Sequence, residues 1–416
     1  MGIWGTGSAV PQRVLTNEDL EKLVETNDEW IRTRTGIRER RIADEATASS
    51  DLAVQAARGA LEMAGVAPED LDLVVVATVT PDMAFPSTAC LVQHRLGARR
   101  SAAFDLAAAC SGFLYGLEVA ASLLAGGQYR LALVVGVDCL SKITDYTDRS
   151  TCVLFGDGAG AAVLGPVREG YGLLASYLGA DGAYGDLLCL PGGGSRHPAS
   201  ARTVAERLHY IRMEGNEVFR LAVRTMGEAA EQVLNRAGMT AQEVDWFIPH
   251  QANIRIIQAA ARRLAIDDAR VVVNIDRYGN TSAGSIGLAL DEAVRDGRIR
   301  EGQRLLKEKL KEWLKGKSSA EAQEEGQKRR LLFTKVNNTR DLLESPHFNA
   351  RGYFSEVDHP VMGKARYPGA PFRLTGSPAA PLRPAPMLGE ANEEVLCGRL
   401  GYTREDLGRL RASAAI

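Results

Sequence analysis

The chain has 416 residues, of which 45% are hydrophobic and 25% charged, and its formal net charge at pH 7 is -2. Such a chain can bury a large core, and its near-neutral charge gives no reason to expect nucleic acid or an anionic membrane as a partner. No segment is apolar enough to span a membrane, and the six cysteines lack the C-x-x-C spacing of a zinc site or redox pair. These properties predict a soluble, cytoplasmic protein without a disulfide framework.

An internal repeat predicts two similar halves. Residues 64–74 (AGVAPEDLDLV) align with residues 237–247 (AGMTAQEVDWF) at an offset of 173. In each copy an amphipathic helix leads through a turn into an apolar stretch that is typical of a buried strand. The same offset pairs Cys110 with Ala283, so these two residues are expected at equivalent turns of a duplicated αβ fold.

Cys110 lies between a small apolar stretch and a strongly helical pattern, in the segment FDLAAACSGFLYGLEVAA (104–121). A cysteine at a strand-to-helix turn experiences the partial positive charge of the helix N-terminus, which favours the thiolate. This placement suits covalent catalysis through a thioester. The alternative is a buried, inert cysteine.

Two polar residues of the second half occupy similar boundaries. Residues 244–250 (VDWFIPH) are interpreted as a short buried strand that ends in His250, and Asn280 begins another helix within YGNTSAGS (278–285). A lone histidine is usually structural, and a Gly-Asn pair is usually a turn. Together with Cys110, however, they supply a nucleophile, an imidazole and an amide donor, which is the set that acyl transfer requires.

Residues 1 to about 303 resemble β-ketoacyl-acyl carrier protein synthase III, a condensing enzyme of the thiolase superfamily. The resemblance rests on the Cys110, His250 and Asn280 segments and on GTGS (5–8), DEWIRTRTGI (28–37) and FGDGAG (155–160), in the family's order. FGDGAG alone would be a weak glycine-loop match. The resemblance implies an α/β fold with a thiolase-like duplicated αβαβα core, whose halves are about 1–165 and 166–303.

The resemblance implies that Cys110, His250 and Asn280 are catalytic. The family joins an acyl-CoA primer to malonyl-acyl carrier protein with loss of carbon dioxide, giving the 3-oxoacyl carrier protein that initiates fatty acid synthesis. Cys110 would hold the acyl group, while His250 and Asn280 would donate hydrogen bonds to the malonyl thioester. Neither a metal nor another cofactor is implied, because acyl-CoA is a substrate, and a homodimer is expected.

Further contacts are carried over from the family by matching motif. Trp30 and Arg34 match positions at the CoA adenine, Arg149 at the nucleotide phosphates, and Asn216 at the pantetheine; Phe85 matches a residue that closes the partner's acyl pocket in the family dimer. An indole beside a guanidinium suits a flat, anionic ligand, although an amphipathic helix with solvated arginines is the alternative. The carrier-protein docking segment corresponds to Gln251, Ala252, Asn253, Ile254 and Arg255.

The repeat also predicts a strand that the sequence after residue 303 does not supply. In the first half, the helix after Cys110 leads into an apolar strand at 131–136, so a counterpart is expected from about residue 304. Residues 305–315 (LLKEKLKEWLK) instead place apolar residues at helical spacing between charges, which predicts a surface helix. The glycine-rich oxyanion loop that the family carries in this part has no equivalent here, and loss of one oxyanion donor costs about 10²–10³ in rate.

Residues 304–416 resemble the C-terminal part of family III CoA transferases. The matching stretches are DLLESPH (341–347), ARGYF (350–354), VDHP (357–360), PGAPFRL (368–374) and PMLGE (386–390). That family's catalytic aspartate belongs to an N-terminal portion with no match in this chain. The segment is therefore expected to be a mixed α/irregular appendage, joined by a fusion, a frame disruption or engineering.

The sequence leaves three alternative functions open. An active condensing enzyme is favoured by the intact trio of Cys110, His250 and Asn280. A catalytically impaired thiolase-fold binding or scaffold protein is favoured by the absent terminal strand and loop. A CoA transferase is disfavoured, because the catalytic half of that family has no counterpart here.

Overall fold

Strands and helices alternate through the first 299 residues, and shorter elements follow from residue 310. The computed structural model describes residues 1–299, 310–329, 334–370, 372, 376 and 382–416, which divide into two units, Met1–Leu310 and Lys311–Ile416. The strands of the first unit are β1 (Gly2–Ala9), β2 (Val14–Thr16), β3 (Glu39–Arg41), β4 (Leu73–Ala77), β5 (Ala102–Leu106), β6 (Ala132–Cys139), β7 (Asp157–Gly165), β8 (Leu188–Cys189) and β9 (Arg212–Met213). Its helices are α1 (Asn17–Glu21), α2 (Asp28–Thr35), α3 (Ser49–Ala64), α4 (Thr88–Leu96), α5 (Gly112–Ala125), α6 (Arg149–Cys152), α7 (Ala201–Ala205), α8 (Gly215–Ala237), α9 (Ile254–Arg263), α10 (Ile275–Tyr278) and α11 (Gly284–Arg295).

A five-stranded mixed sheet forms the centre of the first half. Its strand order is β1-β7-β6-β4-β5; β6 and β5 run parallel to β4, whereas β7 runs antiparallel to both β6 and β1. Every residue of β4, β6 and β7 is buried, as expected of continuous apolar strands that are covered on both faces. The apolar core on one face includes α3 and α4, and the core on the other includes α5 and Ile286 of α11.

Two glycines let helices approach this sheet closely. A Cβ atom at Gly7 of β1 would lie 2.1 Å from the carbonyl oxygen of Ala56 in α3. A Cβ atom at Gly136 of β6 would lie 2.2 Å from the carbonyl oxygen of Ala283, the residue that precedes α11. The absence of a side chain at Gly136 therefore fixes the N-terminus of α11 directly against the central strand.

The described residues of the second half repeat the helices of the first half but not its five-stranded sheet. Its described residues form the two-residue ladder of β8 with β9, the isolated bridge between Phe247 and Val271, and a bridge from Asn280 to Phe155 of the first half. The prediction of a short buried strand at 244–250 is therefore wrong, since Phe247 and Ile248 are only half-buried and form no ladder. In the first half β6 and β7 separate β4 from β1. At the repeat offset, the counterpart of β6 would start near residue 305 and that of β7 near residue 330. Residues 300–309 and 330–333 lie outside the described residues, so the outer segments have no described inner strand to pair with.

The second unit consists of short helices and a hairpin. Residues 310–314 are helical, in agreement with part of the predicted surface helix, whose residues 305–309 lie outside the described residues. The hairpin corrects the expectation of a mixed α/irregular segment: its strands pair from Phe354 with Pro368 to His359 with Gly363. The elements are α12 (Ser319–Lys328), α13 (Thr339–Glu344), α14 (Pro346–Ala350), β10 (Phe354–His359), β11 (Gly363–Pro368), a π-helix (Glu393–Arg399) and α15 (Arg404–Ala412). In the described part of the chain, no helix has both the length and the apolarity needed to cross a membrane.

Candidate active site

Cys110 lies in a single 3₁₀ turn, Ala109–Ser111, between β5 and α5. The preceding residue, Ala109, has φ of +44°, in the left-handed region that residues with a Cβ atom seldom adopt. Ser282, which is 173 residues further on, has φ of +46° and likewise precedes a central helix, α11. Both halves therefore use the same strained turn, and such strain typically persists where surrounding structure holds a functional group in place.

The Cys110 thiol is protonated in the resting site. Burial raises its pKa to about 11, which outweighs a hydrogen bond with the Ser282 side chain that lowers it. The expectation that the helix N-terminus favours the thiolate is therefore corrected. Desolvation in apolar surroundings disfavours the charged thiolate, and the nearby Asp138 charge acts in the same direction.

His250 is neutral, and its Nδ1 atom is paired with a hydroxyl group. Its Nδ1 atom lies 2.6 Å from the hydroxyl oxygen of Ser285 in α11, and that oxygen accepts a hydrogen bond of 3.4 Å from the Gln251 backbone N–H. In the tautomer in which the Ser285 hydroxyl donates to Nδ1, the ring proton lies on Nε2. Burial also lowers the pKa of His250 to about 4. The imidazole can therefore donate a hydrogen bond through Nε2 at neutral pH.

Asn280 is held by its backbone and keeps its amide donor. Its backbone N–H donates to Leu154 at 2.9 Å, its carbonyl accepts from Gly156 at 3.0 Å, and its side chain is 8% exposed. The side-chain oxygen accepts from the Ser282 backbone N–H at 2.9 Å. Because the oxygen already accepts this hydrogen bond, the side-chain NH₂ group remains the part of the amide that can donate one.

A buried carboxylate supports the turn that carries Asn280. Asp138, at the end of β6, accepts a hydrogen bond of 3.2 Å from the Ala283 backbone N–H. Its other oxygen accepts from Thr78, Val79 and Thr80 at 2.8–3.2 Å. Burial raises the pKa of Asp138, although these hydrogen bonds oppose the effect. The sheet of the first half thereby positions the loop of the second half that carries Asn280.

Cys110 and His250 line one cavity of about 510 Å³, whereas Asn280 does not line it. The cavity lies between α5, α8 and the strand-like segments of the second half. Most of its lining side chains are apolar. They are Leu114 and Leu117 of α5, Leu173, Ala175 and Leu178, Ala222, Met226, Ala229, Ala230, Val233 and Leu234 of α8, and Val244, Phe247, Ile248, Pro249, Leu264, Ile266 and Ile286, with Ser111, Glu118, Ser176, Tyr177 and Thr225 as the polar members.

Two of the predicted CoA contacts lie together on the surface. The Arg149 guanidinium lies 5.2 Å from the centre of the Trp30 ring, and it donates to the Glu25 carbonyl at 3.0 Å. Trp30 is 36% exposed, so part of its ring remains available for stacking. Arg34 is exposed on the same helix, α2, and its carbonyl accepts from Asn253 at 3.0 Å.

The other two predicted substrate contacts are exposed. Asn216 lies in the first turn of α8. Phe85 is 84% exposed in the loop before α4, a degree of exposure that is unusual for a large aromatic side chain. The Phe85 side chain is therefore accessible for contact with a second chain.

The predicted carrier-docking segment divides into a buried and an exposed part. Gln251 is only 1% exposed, because its side chain bonds to the Pro249 and Val272 carbonyls and to the Asn274 backbone N–H. Its assignment as a carrier contact is therefore wrong. Ala252, Asn253 and Ile254 are half-buried, while Arg255 is exposed, with its guanidinium 5.0 Å from the centre of the Phe219 ring.

The sequence-based prediction missed Ser285 and Asp138. Ser285 is adjacent to the Asn280 motif, but no local pattern connects it to a histidine 35 residues earlier. Asp138 ends a strand of the other half, so its role depends on tertiary packing. Ser282 could have been singled out, because the repeat pairs it with Ala109, the neighbour of Cys110.

Comparison with solved structures defines the class. The 3-oxoacyl-[acyl-carrier-protein] synthase III of Aquifex aeolicus is 50% identical and superimposes with a TM-score of 0.66, covering 72% of this chain and 92% of its own. The Thermus thermophilus enzyme is 49% identical with a TM-score of 0.68, covering 73% and 92%. The fold is thus the thiolase-like α/β fold of condensing enzymes.

Sequence comparison then identifies the family. Two family models match, 3-oxoacyl-[acyl-carrier-protein] synthase III at residues 104–182 and its C-terminal model at residues 234–308. The beta-ketoacyl-[acyl-carrier-protein] synthase III of Desulfitobacterium hafniense is 62% identical over 302 residues, or 73% of this chain and 91% of its own. The Symbiobacterium thermophilum protein of that name is 60% identical over 302 residues, or 73% and 92%. This chain belongs to the 3-oxoacyl-[acyl-carrier-protein] synthase III family.

Proposed function

We propose that this protein condenses an acyl-CoA primer with malonyl-acyl carrier protein, releasing CoA and carbon dioxide and forming a 3-oxoacyl carrier protein that initiates fatty acid synthesis. The observation that carries the proposal is the shared cavity of Cys110 and His250 in a chain 62% identical to a named synthase. The protein is accordingly a condensing acyltransferase.

The first step loads the acyl group. Cys110 Sγ attacks the carbonyl carbon of the acyl-CoA thioester, the bond from that carbon to the CoA sulfur breaks, and the thiol proton ends on the CoA sulfur. A pKa of about 11 keeps the resting thiol protonated. The thiol therefore has to lose its proton in the course of the loading step.

The second step uses donors from the second half. His250, protonated at Nε2, and the Asn280 NH₂ group donate hydrogen bonds to the malonyl thioester carbonyl. They stabilise the enolate that forms as the bond to the carboxylate carbon breaks and carbon dioxide leaves. The enolate carbon attacks the acyl-Cys110 carbonyl, and the departing Cys110 sulfur regains a proton from solvent. Neither step requires a cofactor.

Surface contacts complete the proposal. Trp30, Arg34, Arg149 and Asn216 bind CoA, and Arg255 with Asn253 faces an acidic carrier protein. The exposed Phe85 contacts a second copy in a homodimer, and the reaction takes place in the cytoplasm. The condensing domain ends near residue 303, and residues 304–416 form a CoA transferase-like appendage with no catalytic role.

An impaired scaffold is the second candidate, favoured by the sparse strand pairing among the described residues of the second half. One experiment separates the two candidates. Purified protein is given acetyl-CoA and malonyl-acyl carrier protein, and 3-oxoacyl carrier protein is measured for the wild type, His250→Ala and Asn280→Ala. The condensing enzyme forms product, whereas both variants accept the acyl group but lose condensation by at least about 100-fold. No product from folded wild-type protein would favour the scaffold.

A further inference from the structure

Arg40 is a fully buried cation in the middle of strand β3. Its side chain is 0% exposed, although arginine is almost never buried to this extent unless its charge is compensated. Its hydrogen bonds go to neutral oxygens, and none of the described residues forms an ion pair with it. Burial lowers its pKa to about 10, so the guanidinium still carries its charge at neutral pH. The condensation steps give this charge no chemical role.

The guanidinium connects the N-terminal segment to Val153, which lies 113 residues beyond Arg40 in the chain. Nη1 donates to the Leu15 carbonyl at 3.2 Å and to the Asn17 side-chain oxygen at 3.0 Å, while Nη2 donates to the Val153 carbonyl at 2.9 Å. Leu15 and Val153 belong to one buried apolar cluster, which also contains Ile275 of α10. Hydrogen bonds from a charged donor are about twice as strong as neutral ones, and the planar guanidinium fixes their directions. Arg40 therefore holds Val153 at a defined position relative to β2.

Val153 leads directly into the segment that binds the backbone of Asn280. The Leu154 carbonyl accepts from the Asn280 N–H at 2.9 Å, and the Gly156 N–H donates to the Asn280 carbonyl at 3.0 Å. These two hydrogen bonds form the parallel bridge between Phe155 and Asn280. A shift of Val153 would therefore move both backbone partners of Asn280.

The base of the Arg40 side chain also lies against both sides of this bridge. A Cβ atom at Gly156 would lie 3.0 Å from the Arg40 Cβ atom and 2.3 Å from the Tyr278 carbonyl oxygen. A Cβ atom at Gly279, which has φ of +63°, would lie 3.2 Å from the Arg40 Cβ atom. Because neither glycine has a side chain, the loop that carries Asn280 packs directly on Arg40.

We infer that Arg40 is a positioning residue for Asn280. It fixes the backbone of residues 153–156 and the path of the chain at Gly279, and through them the direction in which the Asn280 NH₂ group donates its hydrogen bond. This inference rests on the proposed function, in which that NH₂ group stabilises the enolate formed as carbon dioxide leaves. Arg40 itself does not touch the substrate.

The other two site residues are held by different contacts. The Nδ1 atom of His250 is paired with Ser285 of α11, and Cys110 lies in the turn between β5 and α5. Hydrogen bonds of Arg40 reach neither of these elements. Loss of those hydrogen bonds should therefore impair malonyl decarboxylation and leave acyl loading of Cys110 intact.

Paired variants separate a positioning role from a contribution to folding. Arg40→Met keeps an unbranched side chain in the same space and removes its donors, whereas Arg40→Lys keeps the charge and one donor group. Arg38 is exposed two residues earlier, so Arg38→Met is the matched control. Release of carbon dioxide from malonyl-acyl carrier protein and acylation of Cys110 by acetyl-CoA are measured for each variant and for the wild type.

Arg40→Met should decarboxylate about 10–100-fold more slowly, because a misplacement of about 1 Å can cost on the order of 100-fold in rate. Arg40→Lys should recover part of this rate. Acyl loading should stay within about twofold in both variants, and Arg38→Met should match the wild type in both assays. In the Asn280→Ala background, Arg40→Met should slow decarboxylation by less than about threefold, because a residue that acts through Asn280 then has no donor to position.

Three results would overturn the inference and leave the proposed function standing. They are an unchanged decarboxylation rate in the Arg40 variants that fold, a loading loss as large as the decarboxylation loss, and an undiminished effect in the Asn280→Ala background. If Arg40→Met does not fold, Arg40→Lys takes its place in every comparison, with an expected loss of decarboxylation of about three- to tenfold. Folded wild-type protein that neither loads acetyl groups nor decarboxylates would overturn the proposed function and the inference together.

Discussion

The two halves of the first unit share their helices and differ in their sheets. Both halves place a strained turn, at Ala109 and at Ser282, before a central helix, and both lead from a long helix into an apolar segment. The first half completes five paired strands, whereas the described residues of the second half form only the two-residue β8–β9 ladder and isolated bridges. The helices and turns therefore form from local sequence, whereas the sheet forms only where inner strands pair with the outer ones.

The largest expected difference concerns stability. Val134 is fully buried in β6, so Val134→Asp should lower the free energy of unfolding by about 4 kcal/mol or more, because the charge has no partner. Ile248 is half-buried and lines the cavity shared by Cys110 and His250, where water can reach it, and Ile248→Asp should cost only about 1–2 kcal/mol. Urea unfolding of both variants measures the difference, and equal losses would show that the second half is packed as tightly as the first.

Hydrogen exchange compares the sheets without mutation. Amides of β6 and β7 are in complete ladders and should exchange at least about 1,000-fold more slowly than those of residues 174–178. Mass spectrometry of exchanged peptides provides the comparison. Strong protection at 174–178 would mean that another segment pairs with this edge, and the account of the open second half would be wrong.

The tautomer of His250 can be tested through Ser285. Ser285→Ala removes the hydroxyl that bonds Nδ1, so the Nε2 proton is no longer fixed, and malonyl decarboxylation should fall by about 10–100-fold. Acyl loading of Cys110 should stay within about twofold, because that step does not use the tautomer. Ser285→Thr keeps the hydroxyl and should restore part of the rate. A loading defect as large as the decarboxylation defect would instead indicate a general structural role.

The pH dependence of stability tests the burial of His250. The pKa of His250 in the folded protein is about 4, below its value in the unfolded chain, so between about pH 4 and 6.5 the unfolded state binds the extra proton. Stability should therefore fall as pH decreases through this window, by on the order of 2 kcal/mol. His250→Gln should show a shallower decline in urea unfolding midpoints. An unchanged slope would mean that the imidazole titrates normally.

The sequence predicted what local patterns and the repeat determine. The turn of Cys110 and the helix after it follow from periodicity and boundary residues, and the offset of 173 predicted the equivalence of the two turns. The prediction that Asn280 begins a helix is wrong, since Asn280 lies between α10 and α11 and forms a bridge with Phe155. Three features could not be predicted in this way. The Ser285–His250 pair, the Asp138 support and the burial of Gln251 depend on contacts between distant segments. The raised pKa of Cys110 depends on desolvation, which no motif encodes.

The central claim is that Cys110 takes an acyl group from CoA. Intact-protein mass after incubation with acetyl-CoA tests it most directly, with Cys110→Ser as the variant and Cys90→Ser, which removes an exposed cysteine, as the matched control. The account predicts a gain of one acyl group in the wild type and in Cys90→Ser, and none in Cys110→Ser, with melting temperatures nearly unchanged. Acylation that persists in Cys110→Ser, or that is absent from folded wild-type protein, would contradict it.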